Sequence, residues 1–309
     1  MIEIRNLTKK FGSQTVLNNI NFTVKQGEIL GFLGPNGAGK TTTMKIITGF
    51  WPANSGTVEI AGFNLNKHSL SLRKRIGYLP ENVPLYDDMK VFEYLKFIAE
   101  MREIEHDKIL PRIKQVVGRC GLHKVIGQPI SELSKGYRQR VGLAQAIMHD
   151  PDILILDEPT TGLDPNQIVE IRELIKEIGK QKTVIFSTHI LAEASATCDR
   201  VLIINNGEIV AEGTPAELAG KLGGQEALYI KIRGRKEEVL PALQNIGDVV
   251  KVEVKDQESD DVFGYHVEPQ EGKDIREALA KKIMDNNWNM LELSKRQASL
   301  EDAFRKLTK

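Results

Sequence analysis

The run Gly34-Pro35-Asn36-Gly37-Ala38-Gly39-Lys40-Thr41-Thr42 carries the clearest chemistry in the chain. It fits G-x-x-x-x-G-K-[ST], a spacing whose glycines let backbone N–H groups turn inward as a nest for phosphate. In that pattern the lysine, here Lys40, reaches the β- and γ-phosphates, and the next hydroxyl, Thr41, sits on Mg²⁺. A second group follows the apolar run Ile153-Leu154-Ile155-Leu156, which ends in Asp157-Glu158-Pro159. An acid at the end of such a strand holds Mg²⁺ through water, which assigns that role to Asp157. Glu158 beside it is a suitable general base for a water attacking the γ-phosphate. His189, after Ser187-Thr188, stands where ligands of open α/β sheets gather and is expected at the γ-phosphate. Together these residues predict binding and hydrolysis of a nucleoside triphosphate.

Such chemistry needs a strand, a glycine loop and a helix start in that order. Glu28-Ile29-Leu30-Gly31-Phe32-Leu33 is an apolar run of strand length, and Met44, Ile46 and Ile47 can open a helix behind the loop. The new helix adds the positive end of its dipole to the phosphate nest. Upstream, Ile2, Ile4 and Leu7 predict a first strand, Lys9-Lys10-Phe11-Gly12 a turn, and residues 16–24 a further strand pair. Phe11 by position alone is either a core aromatic or a platform for a purine base. Downstream, strands are expected over 57–60 and 75–79. Helices are expected over 88–103, with Asp88 as N-cap, and over 107–120. The run 153–156 reads as a strand buried on both faces of a parallel sheet, with another strand over 182–186.

Composition narrows the partners. Lysine plus arginine and aspartate plus glutamate number 42 each in 309 residues, so the net charge is zero. That argues against bulk electrostatic attraction to nucleic acid or anionic lipid, and no nucleic-acid partner is expected. Cys120 and Cys198 lack C-x-x-C spacing and read as reduced thiols, not as a disulfide or metal site. No apolar run approaches the ~18 residues of a membrane span. The first ten residues alternate charged and apolar side chains without a signal-peptide core. The expectation is a soluble intracellular chain of two domains.

These residues resemble the ATP-binding subunit of ABC transporters, over residues 1 to about 220. The most specific element is Leu133-Ser134-Lys135-Gly136-Tyr137-Arg138-Gln139-Arg140, similar to that family's L-S-G-G-Q signature. Gly162-Leu163-Asp164-Pro165 is similar to its D-loop, and His189 to its switch histidine. The resemblance implies an α/β fold: a P-loop NTPase ABC ATPase domain over 1–222, with a mixed sheet core and a helical subdomain at about 85–150. It implies two subunits sandwiching two ATP molecules head to tail, with Ser134 and the Gly136 amide on the γ-phosphate in trans. Asp164 then lies at the dimer seam and Phe11 against the adenine. Helix-end electrostatics agree with a dimer: residues 134–136 open a predicted helix over 137–148 and are themselves an anion-binding N-terminus without an obvious client in their own chain.

The signature and the Q-loop depart from the family pattern. The signature's first glycine is Lys135 and its glutamine is Tyr137, while the second glycine, Gly136, is kept; the Q-loop glutamine is Glu81, which can still ligate Mg²⁺ with Thr41 and Asp157 but as an anion. Both departures resemble the exporter-like group that works with separate ABC-2-type permeases, among them drug-resistance, sodium-export and gliding-motility ATPases. The resemblance implies a homodimer, peripheral on the cytoplasmic face of the cell membrane and docked on permease subunits through the helical insertion at 85–130. The rival class is a soluble ABC ATPase acting on ribosomes or DNA. The single P-loop, the neutral charge and the lack of long coiled coils or zinc modules weigh against it.

The tail reads separately. Thr214-Pro215 caps and opens a short helix, and Gly223-Gly224 marks the domain boundary. Over 226–309 the pattern predicts strand, helix, strand, strand, helix, strand and a last helix over 300–307. That βαββαβ order suggests a small α+β ferredoxin-like domain without a catalytic constellation.

Overall fold

The computed structural model of the chain describes residues 1–222, 227–270, 272–296 and 304. Alternating apolar residues build β1 (Ile2–Phe11) and β2 (Gln14–Val24), paired antiparallel across the turn at Gly12 and Ser13. The strand pair expected over 16–24 is therefore one strand. Its irregular pattern is absorbed by register shifts against β1, and Asn6 and Asn19 take left-handed φ of 50° and 51°. Next come β3 (Ile29–Leu33), α1 (Lys40–Ile47), β4 (Ser55–Ile60), β5 (Phe63–Asn64), α2 (Ser69–Arg73) and β6 (Ile76–Leu79). A helical segment follows: α3 (Val91–Met101), α4 (His106–Cys120), a 3-10 turn at Ile130–Glu132, and α5 (Lys135–Ile147). The chain continues through β7 (Ile153–Asp157), α6 (Pro165–Gly179), β8 (Thr183–Thr188), α7 (Leu191–Thr197), β9 (Arg200–Asn205), β10 (Glu208–Gly213) and α8 (Pro215–Leu222).

Two helix starts differ from the sequence expectation. α3 begins at Val91, not behind Asp88, because Lys90 forms an extended bridge with Pro129 that forbids a helix before it. The Glu93 side chain then accepts the Lys90 N–H at 3.1 Å, which fixes the entry to the helix. α5 begins at Lys135, two residues early, with Ser134 as its N-cap.

The chain divides into two compact units, Met1–Pro215 and Ala216–Leu307. In the first, β10-β9-β3-β8-β7-β6 form one sheet, parallel except for the β10 edge, and β2-β1-β4-β5 form an antiparallel sheet. Strand side chains alternate between faces. Leu30, Phe32, Ile153, Ile155, Ile185, Leu202 and Ile204 pack against Ile2, Ile4, Leu7 and Val24 of the other sheet, with Met44, Ile46 and Ile47 of α1 in the same core. β3, β7 and β8 are buried at every residue. Each fully buried aliphatic side chain there contributes roughly 1.5–3 kcal/mol relative to exposure. This rigid centre fixes three strand ends in register: Leu33 lies opposite Thr188, and Asp157 opposite Ser187. The chemistry-bearing residues hang on those ends.

The second unit contains β11 (Ala227–Arg233), α9 (Lys236–Gln244), β12 (Val249–Ser259), β13 (Val262–Pro269), α10 (Arg276–Asp285) and β14 (Asn289–Arg296). Its sheet order is β12-β13-β11-β14 with all neighbours antiparallel, the split βαβ arrangement of a ferredoxin-like fold. Val239, Leu243, Leu279 and Ile283 of the helices cover Ile230, Ile232, Tyr265 and Val267 of the sheet. β12 runs past the expected end at 254 because its hairpin with β13 pairs through Ser259 and Val262, with bulges on the way. Gly223 and Gly224 lie outside the described residues, as does the predicted helix over 300–307 except at Phe304.

Candidate active site

The loop between β3 and α1 is shaped by its glycines. Gly37 and Gly39 have φ of 81° and 110°, conformations that a side chain resists, and Gly39 presses against Leu17 of β2. The loop is stitched to its neighbours: the Gly34 N–H donates to the Thr188 carbonyl at 3.4 Å, Ala38 N–H to Pro35 O at 3.2 Å, and Gly207 N–H to Ala38 O at 3.0 Å. Asn36 is exposed, and Thr42 is buried inside the first turn of α1. Lys40, the first residue of α1, is buried. Its ammonium donates to the carbonyls of Gly34 at 2.7 Å and Pro35 at 3.2 Å.

The same ammonium stands 3.2 Å from Glu158 Oε1. The other carboxylate oxygen of Glu158 faces His189 Nδ1 at 2.9 Å and accepts the Thr161 hydroxyl at 3.3 Å. Glu158 is 7% exposed at its side chain while His189 is 42% exposed, so a buried carboxylate joins a buried cation to a histidine open to solvent. Glu158 pays for this placement in its backbone: φ is 49°, left-handed for a residue with a Cβ, as found at strained functional positions. Asp157 is fully buried. Its Oδ1 accepts the Ser187 hydroxyl at 2.6 Å and the Thr41 hydroxyl at 3.1 Å, and its Oδ2 has no hydrogen-bond partner. Burial raises the Asp157 carboxyl above its ordinary pKa. The two hydroxyls oppose that shift, and the charges of Glu81 and Glu158 add to it. Glu81 itself is exposed, without a hydrogen bond or ion pair among the described residues.

A buried carboxylate oxygen without a partner is costly unless a cation or ordered water satisfies it. Asp157 Oδ2, with the Thr41 hydroxyl on the same carboxylate and Glu81 within electrostatic reach, is a hard oxygen donor set that suits Mg²⁺.

Ser134, Gly136 and Asp164 form a separate group. The Ser134 hydroxyl accepts the Tyr137 N–H at 3.4 Å, and Asp164 caps α6 by accepting the Gln167 N–H at 3.0 Å. Gln167 also lays its side-chain amide against Gly136, so close that a Cβ there would lie 2.5 Å from it, and the Lys135 ammonium lies over Gly162. Gly136, Asp164 and Gln167 line an open groove of about 580 Å³ with Lys124, Tyr137 and Arg140. Among the described residues this group shares no hydrogen bond or ion pair with the Lys40–Glu158 cluster. Phe11 lies at the end of β1, 44% exposed, edge-on to Trp51 at 5.2 Å between ring centroids, with the Lys9 ammonium 4.9 Å from its ring.

Two contacts in the first group are absent from the sequence reading: Ser187, which touches both Asp157 and Glu158, and Thr161 on Glu158. The only signal for Ser187 was a hydroxyl at the polar end of an apolar strand.

The family model described as ABC transporter matches residues 17–161. The linearmycin resistance ATP-binding protein LnrL of Bacillus subtilis is 34% identical over 310 residues, covering 100% of this chain and 98% of its own. The bacitracin transport ATP-binding protein BcrA of Bacillus licheniformis is 34% identical over 309 residues, covering 99% of this chain and 97% of its own. A solved dimer, the ATP-binding cassette MJ0796 in a post-hydrolysis state bound to ADP and phosphate, superimposes with a TM-score of 0.64. It is 26% identical and covers 69% of this chain and 98% of its own. With the phosphate loop, the buried carboxylates at the strand ends and a full-length match to such relatives, this chain belongs to the ATP-binding subunits of ABC transporters, and it is an ATPase of that family.

Proposed function

We propose that the chain energises an exporter. It works as an ATP-driven homodimer on the cytoplasmic face of the membrane, docked on separately encoded permease subunits of the ABC-2 type. The observation that carries this reading is the Glu158 carboxylate, buried and divided between the Lys40 ammonium and His189. A carboxylate so held is a base fixed in direction, with its proton acceptor shared with an imidazole that opens to solvent. In this reading Glu158 takes the proton of the attacking water and His189 holds the γ-phosphate. The loop residues Gly34 to Thr42, Lys40 foremost, cradle the β- and γ-phosphates. Thr41, Asp157 and Glu81 hold Mg²⁺, which when bound neutralises phosphate charge. Ser134 and Gly136, at the N-terminus of α5, face the γ-phosphate of ATP on the second copy, Asp164 lies at the seam, and Phe11 supports the adenine. Two full-length relatives named for linearmycin resistance and bacitracin transport support the exporter assignment. Among the described residues no helix is long and apolar enough to cross a membrane, which fits a chain that relies on a separate permease.

The test is affinity capture of tagged Glu158→Gln protein with ATP from gently solubilised cells, with co-purified proteins identified by mass spectrometry. A polytopic membrane protein at near-equal stoichiometry is expected. Ribosomal or DNA-bound partners without a membrane protein would refute the reading.

A further inference from the structure

We infer that Ser187 is a positioning residue for hydrolysis, setting the orientation of both carboxylates at the end of β7. The inference rests on the roles proposed above for Asp157 and Glu158. Ser187 is fully buried on β8, opposite Asp157 in the parallel ladder. Its hydroxyl donates to Asp157 Oδ1 at 2.6 Å and accepts the Glu158 N–H at 3.0 Å. One side chain therefore uses both halves of its hydrogen-bonding capacity on the last residue of the neighbouring strand and the residue after it.

The two bonds do different things. The first fixes the Asp157 carboxylate by one oxygen and leaves Oδ2, which has no protein partner, as the oxygen available to a cation or its water. The Thr41 hydroxyl shares Oδ1, so Ser187 is the anchor that remains if Thr41 turns toward a metal. The second bond ties down the peptide at the left-handed turn of Glu158, whose φ of 49° is strained for a residue with a Cβ and needs outside support. If that peptide relaxes, the carboxylate between Lys40 and His189 moves with it. The strand's own pattern singles out the position. Thr183 on the same face is occupied by the Gly27 N–H at 3.0 Å and Ile185 packs in the apolar core, which leaves Ser187 as the hydroxyl of that face beside the carboxylates. The adjacent hydroxyl, Thr188, points the other way and donates to Glu193 Oε2 at 2.8 Å, so the two are not interchangeable.

The experiment compares Ser187→Ala, Ser187→Cys and Ser187→Thr in the full chain. It reads ATP turnover, and separately equilibrium ATP binding with Mg²⁺ or with EDTA. Loss of an outer-shell partner costs about 10- to 100-fold in activity or metal affinity. Ala and Cys are expected to lower kcat by about that factor. In EDTA their ATP affinity should equal wild type, while the gain on adding Mg²⁺ shrinks by about tenfold. Thr, which keeps the hydroxyl, should restore most of the rate. Wild-type turnover in both Ala and Cys would overturn the inference, as would a Thr variant as slow as Ala. Glu158→Gln is run alongside: wild-type turnover there would remove the reading of the site on which the inference rests, whereas a dead Glu158→Gln beside a fully active Ser187→Ala removes the inference alone.

Discussion

Lys40 and Glu158 are a buried pair of opposite charge, 5% and 7% exposed at the side chain and 3.2 Å apart. Truncating one partner of such a pair costs more than replacing both, because the survivor is left as an uncompensated buried charge. Lys40→Met is therefore expected to destabilise the nucleotide-free chain by about 3 kcal/mol in urea unfolding, and the double variant Lys40→Met with Glu158→Gln to recover part of that loss. Additive losses would mean that the pair is not coupled. Lys40→Ala should also weaken ATP binding itself; unchanged nucleotide affinity would displace the phosphates from this loop. Lys40, Thr41, Asp157, Glu158 and His189 were all legible in the sequence, because each belongs to a short motif at the end of an apolar run. Ser187 was not. Its importance depends on β7 and β8 being neighbours in one register, and a single sequence does not show which strands pair.

At the scale of elements, what was legible is what is local. The buried runs β3, β7 and β8 and the helix behind the phosphate loop follow from apolar spacing and glycine placement. The start of α3 does not, since it is set by a bridge from Lys90 to Pro129, far along the chain. Two predictions belong here. Asp164 caps α6 through the Gln167 N–H, so Asp164→Ala should cost about 1 kcal/mol in unfolding free energy and Asp164→Ser nearly nothing. Equal losses would show that the carboxylate acts other than as a cap. His149, just past the end of α5, donates from Nε2 to the Ile76 carbonyl at 3.0 Å. Burial, together with the charge of Arg102, depresses its pKa from 6.5 to about 4. The unfolded chain then binds this proton more readily than the folded one, so the stability it supports is present above pH 6.5 and is lost as pH falls toward 4. His149→Gln should flatten the melting temperature across that window. An unchanged slope would assign the acid sensitivity elsewhere.

At the scale of the whole molecule, zero net charge leaves no net attraction or repulsion between copies, so the proposed homodimer would rest on local surfaces. The Ser134–Gly136 turn and the Asp164 cap place two helix N-termini, those of α5 and α6, beside one groove, while the phosphate loop opens a third, that of α1. In the proposed dimer ATP, a polyanion, would satisfy such ends on two copies at once. The most direct test of this account is the molar mass of the Glu158→Gln chain by light scattering with saturating ATP and Mg²⁺, read beside its turnover. Twice the monomer mass is expected with ATP, a monomer with ADP, and turnover reduced by at least about 100-fold with ATP still bound. A monomer at saturating ATP with turnover at the wild-type rate would contradict it.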